Sequence, residues 1–178
     1  MSHRRARRLA AALCGPLMLF GACSPVHDWR EVRVADGVLV ALFPCKPQRL
    51  TRSVPLAGAP VELELVSCSA GGTTWSIASG DVGDPGRVGA ALAALHDARL
   101  AALGGRETDR SPSMPVGATP HVQSLRFTVE GKRSSGEAVR EVSLVFARGN
   151  RVFHAGALGA EPAPEAIETW VDGLKLTP

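Results

Sequence analysis

The chain has 178 residues, with 20 Lys and Arg, 17 Asp and Glu, and no tyrosine. Four of the cations are Arg4, Arg5, Arg7 and Arg8, so beyond residue 22 the balance is 16 basic to 17 acidic residues, which excludes a basic footprint for nucleic acid. The length suits one domain with a substantial core.

Met1–Arg8 is short and basic, and the following Leu9–Phe20 is apolar apart from Cys14, Gly15 and Pro16. This is the charged region and apolar region of an export signal. The apolar run is about 14 residues, and a spanning helix needs roughly 20. A plain secretory signal and a short membrane anchor stand as alternatives. The run closes on Phe20-Gly21-Ala22-Cys23. Small residues followed by a thiol resemble the lipobox of bacterial lipoproteins. That resemblance implies cleavage after Ala22, a diacylglyceryl thioether on Cys23 and a third acyl chain on its new amino group. Two or more chains hold a protein stably at a membrane where one does not. The residue after Cys23 is Ser24, which by the same resemblance implies an outer-membrane address facing the periplasm, the inner membrane being the alternative. The expected organisation is a signal at 1–22, a lipidated cysteine and tether at 23–28, and one globular domain at 29–178. The five residues Ser24–Asp28 reach under about 20 Å when fully extended, which would hold the domain against its membrane.

Cys14 leaves with such a signal, and Cys23 is used by the lipid. Cys45 and Cys68 then remain, and in an oxidising periplasm they read as one disulfide, near the ends of two strands expected to be neighbours. A redox-active pair would need the Cys-x-x-Cys spacing that is missing here. A metal site would need His partners at ligand spacing, and none is expected.

Trp29–Val34 and Val38–Phe43 flank Asp36-Gly37, a two-residue hairpin signal. Pro44 and Pro47 break the pairing. Gln48–Leu56 is a polar edge strand, Ala57–Pro60 a turn, and Val61–Leu65 a strictly alternating strand with one wet face. Gly71-Gly72 opens a hairpin into Thr73–Ser79. The period then changes: Val88, Leu92, Leu95 and Leu103 form a helical stripe within Pro85–Leu103, which Pro85 starts and Gly104-Gly105 stops. Arg99 falls on that stripe, either as a stem packed on the core with its head at the rim or as an anion or partner contact. Arg106–Pro120 is rich in Pro, Ser and Gly and reads as a long loop, the best guess for a contact surface. His121–Val129, Glu137–Ala147 and Arg151–Leu158 follow as strands. A last helix opens at Pro162 and Pro164, with Ile167, Trp170, Val171 and Leu174 at helical spacing and Glu165 in its first turn.

The expected fold is α+β, an antiparallel sheet of about eight short strands covered by one central and one C-terminal helix. The Phe43-Pro44-Cys45-Lys46-Pro47 corner and the closing Trp170-Val171-Asp172-Gly173-Leu174 give a family likeness. They resemble small bacterial lipoproteins with the fold of PsbP, the extrinsic protein of photosystem II, over most of Trp29–Leu176. That resemblance implies a binding or assembly factor rather than a catalyst, with no catalytic residues to carry over and no cofactor.

The remaining chemistry-bearing residues agree with a non-enzyme. There is no GxSxG, HExxH, P-loop or GxGxxG. His27, His96, His121 and His154 are not at metal-pair spacing. His96 and Asp97 are adjacent on a helix and point about 100° apart, which argues against an orienting pair. His154 reads as a structural histidine in a core strand. Glu62 and Glu64 share a strand face and read as solvated rather than as paired catalytic carboxylates. The expected partners are the membrane, through acyl chains on Cys23, and an envelope protein. A small-ligand carrier or sensor, or an unrecognised hydrolase, are the rival readings.

Overall fold

A computed structural model describes residues 26–177. Strand β1 (Arg30–Val34) pairs with β2 (Leu39–Phe43), and the two-residue strand β10 (Lys175–Leu176) pairs with β2 on its other side. These three form a small antiparallel sheet. Strands β3 (Gln48–Leu56), β4 (Ala59–Ala70), β5 (Thr73–Asp81), β6 (Arg106–Pro112), β7 (Leu125–Lys132), β8 (Ala138–Arg148) and β9 (Arg151–Gly159) form the main sheet. Its order is β3-β4-β5-β9-β8-β7-β6, antiparallel throughout. Helix α1 (Val88–Leu103) lies between β5 and β6 in sequence, and α2 (Pro164–Asp172) follows β9. The expected α+β class, with one central and one C-terminal helix, is the observed one.

Strand alternation divides the interior in two. Val139, Val145, Ala147 and Val152 pack with Val88, Ala91, Leu92, Leu95 and Leu103 of α1 on one face of the main sheet. Val142, Leu144, Phe146, Phe153, Ala155 and Ala157 point the other way, against Leu39, Ala41 and Phe43 of β2 and Ile167 and Trp170 of α2. Strands buried on both faces lose the alternating pattern and read as apolar runs, which β8 and β9 do. The α1 stripe predicted from periodicity is the buried one. Asp84 Oδ1 accepts from the Gly86 N–H at 2.8 Å ahead of α1, and Gly104 ends it in the left-handed conformation at φ 50°.

Two local expectations are corrected. The β1–β2 connection is not a two-residue turn: Val34 pairs with Leu39, and Ala35, Asp36 and Gly37 all have positive φ. The two-residue hairpins are at Ala57-Gly58, Gly71-Gly72 and Gly149-Asn150, and in the first two both residues are positive in φ, as the right-handed twist of paired strands favours. Most important, Arg106–Pro112 is not loop. It is the edge strand β6, bulged between Glu107 and Asp109. Charged side chains, a bulge and a terminal proline protect an edge against further pairing, and the same features hide it as a strand in the sequence.

The disulfide joins Cys45 and Cys68, with Cα atoms 6.0 Å apart. Cys45 lies in the connection from β2 of the small sheet to β3 of the main sheet and Cys68 lies in β4, so the bridge fastens the crossover between the two sheets to β4.

Candidate functional site

The bulge in β6 sets up the first polar cluster. It places Glu107 and Arg110, three positions apart, opposite Val129 and Phe127 of β7. Both then meet His96 of α1. His96 Nε2 is 2.5 Å from Glu107 Oε2 and 3.2 Å from the Arg110 guanidinium, while Arg110 Nε is 3.2 Å from Glu107 Oε1. The imidazole packs edge-on against Phe127, centroids 4.6 Å apart. Its Nδ1 lies 2.9 Å from Asp97 Oδ1, so these adjacent helical residues do pair, against expectation. The ring is pinned from the β6 side, which turns its other edge toward the next residue of the helix. The cluster ties α1 to the edge strand. No hydroxyl or thiol is among its hydrogen-bond partners.

The second cluster lies deeper, beneath α1. Glu141 and Ser143 of β8 and His154 of β9 share the α1 face of the sheet and are all buried. Arg99 closes it from above, its Nε 3.1 Å from both Glu141 oxygens and its terminal nitrogen 2.5 Å from Oε2. Of the alternatives for Arg99, a head at the rim or an anion or partner contact, the structure shows a half-buried side chain whose anion is Glu141 of the same chain. Gly156 makes room for this group, since a Cβ there would collide with Glu141 Oε1 and approach His154 Cε1 at 3.0 Å.

Serine, histidine and glutamate here invite comparison with a hydrolytic triad, and the proton order decides against it. A carboxylate only accepts, so the Ser143 hydroxyl donates to Glu141 Oε1 at 3.1 Å. Its oxygen then accepts from His154 Nε2–H at 3.1 Å. A nucleophilic serine donates to its histidine instead. Burial lowers the His154 pKa from its ordinary 6.5 to about 4, the Glu141 charge opposing that shift and the Arg99 charge adding to it. The ring is therefore neutral at pH 7 and 3.6 Å from Glu141, and this contact is not an ion pair. Ser143 is fully buried, out of reach of a substrate.

Glu62 is exposed, as expected, but Glu64 is not simply solvated. It accepts from the Ala35 N–H at 2.8 Å and pairs with Arg49, which also donates to the Arg33 carbonyl. This clasp holds the left-handed turn of the small sheet on the main sheet. His27 packs against Trp29 and Trp75, centroids 5.5 and 6.2 Å away. Among the described residues no cluster of three or more His, Cys, Asp or Glu side chains is arranged to hold a metal ion. Cys23 lies outside the described residues.

The third feature is a surface. Residues 113–124 connect β6 to β7 and are tied down at several points. Ser113 and Ser124 bond at 3.3 Å, Thr119 N–H donates to Ala147 at 2.8 Å, Leu176 N–H donates to Val116 at 2.9 Å, and Arg148 donates to the Gly117 carbonyl at 2.6 Å. On this fixed backbone Met114, Val116 and Val122 are 52, 73 and 90% exposed. They are three of the five exposed large hydrophobic side chains among the described residues. A groove of about 380 Å³ runs between Pro112, Met114, Pro120 and Val122. Of the segment 106–120 expected as a loop, only the part from residue 113 belongs to this connection.

No protein-family model matches the sequence, and no curated protein matches it. A solved structure is similar in fold: the solution structure of cyanobacterial PsbP (CyanoP) from Synechocystis sp. PCC 6803. It is 12% identical, the match covers 92% of this chain and 100% of that one, and the TM-score is 0.44. Among the described residues no helix is long and apolar enough to cross a membrane.

Proposed function

We propose that this chain is a lipid-anchored envelope protein that faces the periplasm and acts by binding an envelope protein partner rather than by catalysis. The observation that carries the reading is the loop 113–124. Exposed apolar side chains on a pinned backbone lose little conformational entropy when covered, which favours association. The reversed proton order at Ser143 supports a binding role over hydrolysis. Lipidation of Cys23, the signal at 1–22 and the outer-membrane address rest on the lipobox resemblance.

The test has two parts. Cys23→Ala is expected to move the protein from the membrane fraction to the soluble one, and retention at the membrane overturns the lipid anchor. A photo-crosslinking side chain at Val122 is expected to give a discrete adduct in cells that Val116→Asp abolishes. No adduct, or one indifferent to Val116→Asp, overturns the loop as the contact surface.

A further inference from the structure

The point at which the chain enters the domain is fixed by packing. The Asp28 N–H donates to the Pro44 carbonyl at 2.9 Å, and the His27 ring lies over the β4–β5 turn, so close that a Cβ on Gly71 would come within 3.0 Å of His27 Nε2 and 3.2 Å of Val26 Cγ1. Trp29 adds an edge contact with buried Trp75 at 6.0 Å, and Trp75 meets Trp170 at 5.4 Å. All three tryptophans of the chain are thus engaged at the entry. From Val26 back to Cys23 is three peptide steps, at most about 11 Å. On the lipid-anchor reading, a lipid on Cys23 would be held within that reach of Val26, which packs at the Gly71-Gly72 turn.

The opposite end follows from strand register. Thr73 pairs with Gly159 and Asp81 with Arg151. Eight strand steps separate those ends, roughly 26 Å. The Arg148–Arg151 turn carries the 113–124 loop, through the Gly149 N–H to Thr119 Oγ1 bond at 2.9 Å and the Thr119–Ala147 bond at 2.8 Å.

We infer that the domain rests on a lipid bilayer by its β4–β5 turn end, which includes exposed Gly72 and Glu161, and presents Met114, Val116 and Val122 at the end away from the membrane. This rests on the lipid-anchor reading. The docked His27–Trp29 segment fixes the point at which the chain leaves the domain toward Cys23.

The test uses the processed full chain in vesicles of phosphatidylethanolamine and phosphatidylglycerol doped with nitroxide-headgroup lipid. Glu161→Cys and Val122→Cys are each labelled with a maleimide fluorophore, the native Cys45 and Cys68 being joined. Intact mass is measured on the same samples. Acylated protein quenched at residue 161 and unquenched at 122 is the expected result. Acylated protein quenched equally at both, or only at 122, overturns the orientation and leaves the anchor standing. An unacylated mass overturns the anchor, and the orientation with it.

Discussion

Arg99 of α1 grips both carboxylate oxygens of buried Glu141 on β8, 42 residues further along the chain. The pair occupies the interface between helix and sheet, with aliphatic side chains around it. Burying a carboxylate is tolerated when a bidentate guanidinium and a hydroxyl satisfy it, and removal of one partner leaves an uncompensated charge.

Arg99→Ala is therefore expected to cost about 3 kcal/mol, the penalty of stranding Glu141. Arg99→Met with Glu141→Met removes both charges and is expected to recover much of that loss. Urea denaturation of the three proteins checks it. Equal stability of Arg99→Ala and the parent would show that the pair is dispensable.

His154 makes stability depend on pH. Its folded pKa is about 4 against an ordinary 6.5. As pH falls through 6.5 the unfolded chain binds a proton that the folded chain refuses until about pH 4. The unfolded state holds more protons in that window, so stability is greatest above 6.5 and declines toward 4. The loss from this one group is at most on the order of 3 kcal/mol. Midpoints of urea unfolding between these pH values are expected to slope less in His154→Gln than in the parent. Parallel slopes would assign the acid sensitivity to other groups.

The disulfide encloses a separation of 23 residues. Replacing Cys45 and Cys68 by Ser is expected to lower stability by about 3 kcal/mol on the loop-entropy account. Because the bridge fastens the crossover between the two sheets to β4, the small sheet is expected to lose amide-exchange protection first. Protection lost evenly across both sheets would show that the bridge acts on the whole fold instead.

Some of this was written in local sequence. The α1 stripe is legible because Val88, Leu92, Leu95 and Leu103 repeat with the helical period and end at a glycine able to adopt positive φ. The Gly71-Gly72 hairpin and strands β8 and β9 announce themselves similarly, since turn chemistry and apolar runs act over a few residues. The pairing of Cys45 with Cys68 was reachable by counting, given an oxidising compartment. The lipobox-like Phe20-Gly21-Ala22-Cys23 is likewise a local pattern, and the address proposed from it rests on that pattern alone.

The rest needed the chain to close on itself. Nothing near Arg99 in sequence announces Glu141, and nothing near His96 announces Glu107 and Arg110. Those side chains meet because the sheet order brings β8 under α1 and a bulge turns β6. An edge strand of charged residues carries almost no hydrophobic period, so β6 was invisible as a strand and the loop beyond it seemed longer than it is. That Cys45, between the two sheets, meets Cys68 in β4 is likewise a matter of register. Local propensity determines the elements because it acts through near neighbours. Buried charges and surfaces are decided by long-range pairing, whose partners are remote in the chain and are selected only when the whole core is formed.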